Sequence, residues 1–181
     1  MISEEKLIEG CIAGDRTAQR QLYEKYSPLF FALCLRYMSN REDAEDVLIM
    51  GFTTIFEKMN TFREEGSFEG WMKKVIINTA ISTIRANNMH YNHEDVEDVV
   101  YEAEISKHEN VTYSAICVQD IMDQVEQLSD GCRTVFNLSV IEGYSYEEIA
   151  DILKINIGTV RSQLARAKKI LQQKLKGYIN D

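Results

Sequence analysis

The chain has 181 residues, 45% hydrophobic and 27% charged, an ordinary balance for a soluble globular protein of one domain or two small ones. No apolar run approaches the ~18 residues a membrane span needs, and the acidic start MISEEKLIEG lacks the basic-then-apolar layout of a signal peptide, so a cytoplasmic protein without direct membrane insertion is expected. The net charge of −9 speaks against a nucleic-acid partner only until it is divided: residues 1–90 carry −2, 91–130 carry −10, 131–153 carry −3 and 154–181 carry +6, and phosphate affinity follows the local field.

Residues 3–38 read as helices. Leu7, Ile8, Cys11 and Ile12 make one apolar stripe, and Gly14-Asp15 marks a turn with a cap. A second helix carries Leu22, Tyr23 and Tyr26. Pro28 suits the first turn of a helix, where its missing N–H would have no partner anyway, and the following run LFFALCLRYM is apolar nearly all round, as in a buried helix. Ser39-Asn40 caps the next helix, whose core face is Ala44, Val47, Leu48, Gly51, Phe52, Ile55, Phe56 and Met59. Ile49 and Met50 fall outside that face, beside Glu45 and Asp46. An exposed apolar pair fits a contact with a partner, and it equally fits the scattered apolar residues of any surface.

Asn60 to Gly70 is a turn-rich loop with two phenylalanines, and Ser67 can cap a helix from Phe68 to about Asn88. Phe68, Trp71, Met72, Val75, Ile76, Thr79, Ala80 and Ile84 form its core face, leaving Lys73, Lys74, Asn78, Ser82 and Arg85 for solvent or a ligand. Such a loop and helix can hold unstacked bases by stacking and phosphate neutralisation, though aromatics at helical spacing also build ordinary cores. Residues 91–117 lose the helical period and read as an acidic linker between domain 1–90 and domain 118–181. His90, His93 and His108 are too scattered for a metal site. Cys11, Cys34, Cys117 and Cys132 match no zinc or redox spacing, so reduced core thiols are expected.

Helices resume near Val118 with Ile121, Met122, Val125 and Leu128. Ser129 caps another, containing Val135, Phe136, Leu138 and Val140 and ended by Gly143. Ser145-x-x-Glu148 is a capping box that opens a short helix with Ile149, Ala150 and Leu153 on one face. Lys154-Ile155-Asn156 breaks the pattern, and Asn156 caps a second helix with Ile157, Val160, Leu164, Ala167, Leu171 and Leu175 at steps of three and four. Its other face carries Thr159, Arg161, Ser162, Gln163, Arg166, Lys168 and Lys169. This is the form of a helix-turn-helix that reads the major groove. An ordinary helical hairpin with a solvated basic face is the alternative.

DAEDVL, then TFREEGSFEGWMKKVIINTAISTIR, then LSVIEGYSYEEIADILKINIGTVRSQLARAKKIL, in that order, resemble the sigma-70 family of bacterial RNA polymerase initiation factors, in its extracytoplasmic function (ECF) branch. The resemblance implies an all-α fold of two small helical domains. It implies core RNA polymerase, promoter DNA and an anti-sigma factor as partners, and no cofactor. The N-terminal domain would bind polymerase and open the minus-ten element, with Phe62, Val75 and Asn78 at the base pocket and Lys73, Lys74 and Arg85 near the backbone. Asp46, Ile49 and Met50 would lie on the polymerase surface, Ile49-Met50 replacing the Gln-Glu pair usual in the family. Thr159, Arg161, Ser162, Gln163, Arg166 and Lys169 would meet the minus-thirty-five element. Gln163 stands where a basic residue is frequent, and a glutamine can read adenine or be passive. No paired acid and base, nucleophile triad or phosphate loop is evident, so no catalysis is expected. A stand-alone helix-turn-helix regulator, with residues 1–90 for dimerisation or sensing, is the alternative; a helical interaction protein would leave the +6 tail unexplained.

Overall fold

The computed structural model describes residues 3–63, 65–91 and 118–175. The described residues form two compact units, one within residues 1–91 and one within 92–181, and every regular element in them is helical. From residue 92 onward the expected acidic linker lies outside the described residues, as do His93, His108, Cys117 and Gly177.

In the first unit, helix α1 (Glu4–Ile12) starts at Ser3, whose hydroxyl accepts from the Lys6 N–H. It buries Leu7 and Cys11, but Ile12 is 53% exposed and lies off the stripe expected of it. Asp15 caps α2 (Arg16–Tyr37), accepting from the Thr17 N–H at 2.7 Å. This helix runs straight through Pro28 instead of restarting there. A proline inside a helix removes one backbone bond. Here Leu22 and Tyr26 before it and Phe30, Leu33, Cys34 and Tyr37 after it are all buried in one core, which keeps the helix continuous. The run expected to be buried all round is buried on one side, and Leu29 is 50% exposed.

Asn40 caps α3 (Arg41–Lys58), its Oδ1 accepting from the Asp43 N–H at 2.8 Å. The buried face of α3 is Ala44, Val47, Leu48, Gly51, Phe52 and Ile55, and Met59 extends it into the 3-10 turn Met59–Thr61. Helix α4 (Phe68–Tyr91) begins at Ser67, which accepts from the Gly70 N–H at 3.1 Å. It packs against both α2 and α3. Its buried residues are Phe68, Met72, Ile76, Ile77, Ala80 and Ile81, whereas Trp71, Val75, Thr79 and Ile84 are half-buried. The core face is therefore rotated from the expected one, because two neighbours cover the side bearing Ile77 and Ile81.

The second unit holds α5 (Val118–Glu126), α6 (Asp130–Phe136), a π turn (Asn137–Ile141), α7 (Tyr146–Leu153) and α8 (Ile157–Leu175). Both bonds of the capping box are formed: the Glu148 N–H donates to Ser145 Oγ at 3.2 Å and the Ser145 N–H to Glu148 Oε2 at 2.8 Å. α7 ends at Lys154 in the left-handed region (φ 57), its N–H bonded to the Ala150 carbonyl. Asn156 Oδ1 then accepts from the Gly158 N–H at 2.7 Å and starts α8. α8 packs on α5, α6 and α7 through Val160, Leu164, Ala167 and Leu171. Arg133, Thr134 and Asn137 of α6 and its π turn are buried with the apolar residues, while Val140 is 51% exposed. Arg133 is held by Asp130 Oδ1 at 2.7 Å and the Glu126 carbonyl at 3.1 Å. Ser129 precedes α6 without making a side-chain cap bond.

Candidate nucleic-acid interface

On α8, the side opposite the buried stripe carries Gly158, Thr159, Arg161, Ser162, Arg166, Lys168 and Lys169, all exposed. Three cations, Arg166, Lys168 and Lys169, stand within four residues of one another, so phosphate can be met along a single helical turn. Ser162 donates its hydroxyl hydrogen to the Thr159 carbonyl at 3.0 Å, leaving oxygen lone pairs to accept. Arg161 and Arg166 lie on different flanks of this face, given the ~100° per residue of a helix. Gln163 departs from its group. It is half-buried at the edge of the core stripe, and its Oε1 is buried without a hydrogen-bond partner among the described residues.

On α4, Lys74, Asn78 and Arg85 recur at steps of four and seven and are exposed on one side of the helix. Lys73 does not join them: it stands four residues before buried Ile77 and is half-buried on the other flank. The remaining expected residues divide between two cavities. Phe62 and Lys74 line one of about 370 Å³, with Thr61, Arg63, Glu65, Gly66, Ser67, Gly70 and Trp71. There Phe62 meets Phe68 edge-on at 5.2 Å between centroids and Trp71 at 5.7 Å. Val75 and Asn78 line a groove of about 510 Å³ between α3 and α4, with Met50, Thr54, Lys58, Thr79, Ser82, Thr83 and Ala86. The cavities share no residue, yet sequence neighbours Lys74 and Val75 line one each.

Ile49 and Met50 are 58% and 52% exposed, as expected from their place off the core stripe. They face different grooves. Ile49 borders one lined by Tyr23, Phe31, Arg41 and Leu48, whereas Met50 opens onto the groove of Asn78. Asp46 is exposed four residues before Met50, on the same side of α3. Thr54 and Lys58 continue that side and were not singled out from the sequence; the step of four from Met50 is the signal that could have found them. Among the described residues, no group of His, Cys, Asp and Glu could hold a metal ion and no helix is long and apolar enough to cross a membrane.

Residues 22–90 match the family model for sigma-70 region 2, and residues 118–171 match the model for sigma-70 region 4. The chain belongs to the sigma-70 family. It is thus a sigma factor, one of the transcription initiation factors that direct RNA polymerase to promoters, a regulatory class and not an enzymatic one. This sigma factor is similar over nearly its whole length to the ECF RNA polymerase sigma-E factor of Haemophilus influenzae, 29% identical with 96% of each chain covered. It is likewise similar to that of Escherichia coli K12, 28% identical over 98% of this chain and 97% of the relative. Among solved structures, the sigma factor RpoE of Bartonella quintana, determined in complex with the anti-sigma factor NepR, matches with a TM-score of 0.52 and 25% identity, covering 87% of this chain and 96% of that one.

Proposed function

We propose that the two units divide the work of an ECF-type sigma factor. The unit within residues 1–91 docks on core RNA polymerase and captures the opened minus-ten strand, and the unit within 118–181 reads the minus-thirty-five element through α8. The observation that carries this reading is the fall of the region 2 and region 4 matches on different compact units of one chain. Asp46, Ile49 and Met50 would meet polymerase. Phe62, Val75 and Asn78 would receive bases, with Lys74 and Arg85 near phosphate. Thr159, Arg161, Ser162, Arg166 and Lys169 supply the exposed donors and charges of α8. Met50 and Asn78 border one groove, so a polymerase contact would sit directly beside the captured strand. The protein would work where polymerase does, in the cytoplasm, and an anti-sigma factor would restrain it, as the Bartonella quintana complex suggests by similarity.

Reconstitution tests this. The full chain mixed with core polymerase should form a one-to-one complex that initiates transcription at specific promoters and not at random. Specific duplex binding by the free chain, with no complex formed with core, would instead favour a stand-alone regulator.

A further inference from the structure

Gln163 is the one candidate contact on α8 that faces inward. It comes three residues after Val160 and four before Ala167, both fully buried, which puts it on the flank of the stripe facing α6. Its amide lies against Gly131 of α6: a Cβ added to Gly131 would stand 2.7 Å from Nε2, 3.2 Å from Cδ and 3.4 Å from Oε1. The glycine therefore opens the space that the amide fills. Further along the same flank, Lys174 Nζ donates to Gln127 Oε1 at 2.6 Å in the turn between α5 and α6. A glutamine that reads adenine must present both amide atoms to one base edge, and here Oε1 is shut away from solvent.

We infer that Gln163 is a positioning residue, its amide wedged against Gly131 to set the pose in which α8 presents Thr159, Ser162 and Arg166 to the groove. This rests on the proposed role of α8 at the upstream element. The wedge works by volume, since the structure gives the amide no hydrogen bond to either helix. Loss of the wedge lets α8 settle toward α6 and moves every base and phosphate contact together. Loss of a base contact would act at one base pair alone.

The test uses holoenzyme, full-length chain with core polymerase, and a set of promoters carrying each single base change in the minus-thirty-five element. Wild type must first discriminate among them; if it does not, the role of α8 fails, and that outcome is distinct from failure of the wedge. Given discrimination, Gln163→Ala should weaken binding several-fold and evenly across the set. Gln163→Met, of similar volume and without hydrogen-bonding groups, should restore it. Loss of about tenfold discrimination at one base pair in both variants would make Gln163 a base reader and overturn the inference. So would an alanine variant with unchanged affinity. Gly131→Ala, which would expel the amide, gives a second arm. Gly131→Ala combined with Gln163→Ala should bind no worse than the weaker single variant, whereas multiplying losses would mean that the two residues do not act as one device.

Discussion

Gly51→Ala probes the contact that holds α3 and α4 together, and with them the groove shared by Met50 and Asn78. A Cβ at Gly51 would overlap Ile76 Cδ1, with the Ile76 Cα itself only 3.7 Å away. Ile76 has 0% exposure, so its side chain has nowhere free to turn. Overpacking of this kind costs about 1–3 kcal/mol, and the better helix propensity of alanine returns roughly 1 kcal/mol. A net loss of about 1 kcal/mol remains, or a drop of about 4–8 °C in the transition of a unit this size. Trp71 is the sole tryptophan and lies in the first unit, so its fluorescence follows that unit by itself. Ile76→Val removes the overlapping methyl and alone should cost about 0.5–1.5 kcal/mol. In Gly51→Ala/Ile76→Val the alanine methyl fills the vacated space, so the double variant should be at least as stable as Ile76→Val. A single variant that melts above wild type, or a double variant that loses the sum of both, would refute the packing.

Ile49→Asp/Met50→Asp should keep the fluorescence transition, since both side chains are exposed, and should weaken the complex with core polymerase; normal complex formation would remove them from that interface. The Tyr26 hydroxyl donating at 2.6 Å, with Lys25 at 3.3 Å, holds the Glu4 carboxyl below its ordinary 4.5. A depressed carboxyl contributes above its unfolded value and loses that contribution as pH falls through the folded one, so wild type and Glu4→Gln should differ at neutral pH and converge in acid. An equal difference at every pH would contradict this. Burial pushes the Cys34 thiol up to about 12, and the thiolate is the reactive form. Peptide mapping after iodoacetamide should find Cys34 unlabelled in the native chain and labelled once denatured; rapid native labelling would mean that the core is open there.

Helix starts were legible because a cap is a local device. Asp15, Asn40, Ser67, Ser145 and Asn156 each accept the backbone N–H that their position implies. The helix-turn-helix was legible for the same reason, with the capping box and the apolar spacing of α8 in one short stretch. The face of α4 was not. Its apolar residues cover more than half the helix, and only the placement of α2 and α3 decides that Ile77 and Ile81 go fully inside while Val75 stays half-buried. Pro28 misled because a local preference for helix starts yields to a core stripe continuous on both sides. Gln163 misled because polarity was read as exposure, whereas Gly131 makes room for its amide. The candidate residues of α4 could be named from the sequence, but their division between two cavities depends on the loop after Thr61 and on the distance between α3 and α4.

Strand opening is the most direct measure of what the chain is proposed to do. Unstacking duplex bases costs a few kcal/mol, which capture of an extruded base must offset. Phe62 offers an aromatic face in one cavity, and Asn78 offers a donor and an acceptor at the rim of the next. Permanganate footprinting of the minus-ten region with reconstituted holoenzyme should show reactive thymines with wild type. Phe62→Ala and Asn78→Ala should lose much of that reactivity while still forming closed complex, and a template mismatched across the region should partly rescue both. Wild-type thymine reactivity in both variants on intact duplex would contradict the assignment of the opening role to this face.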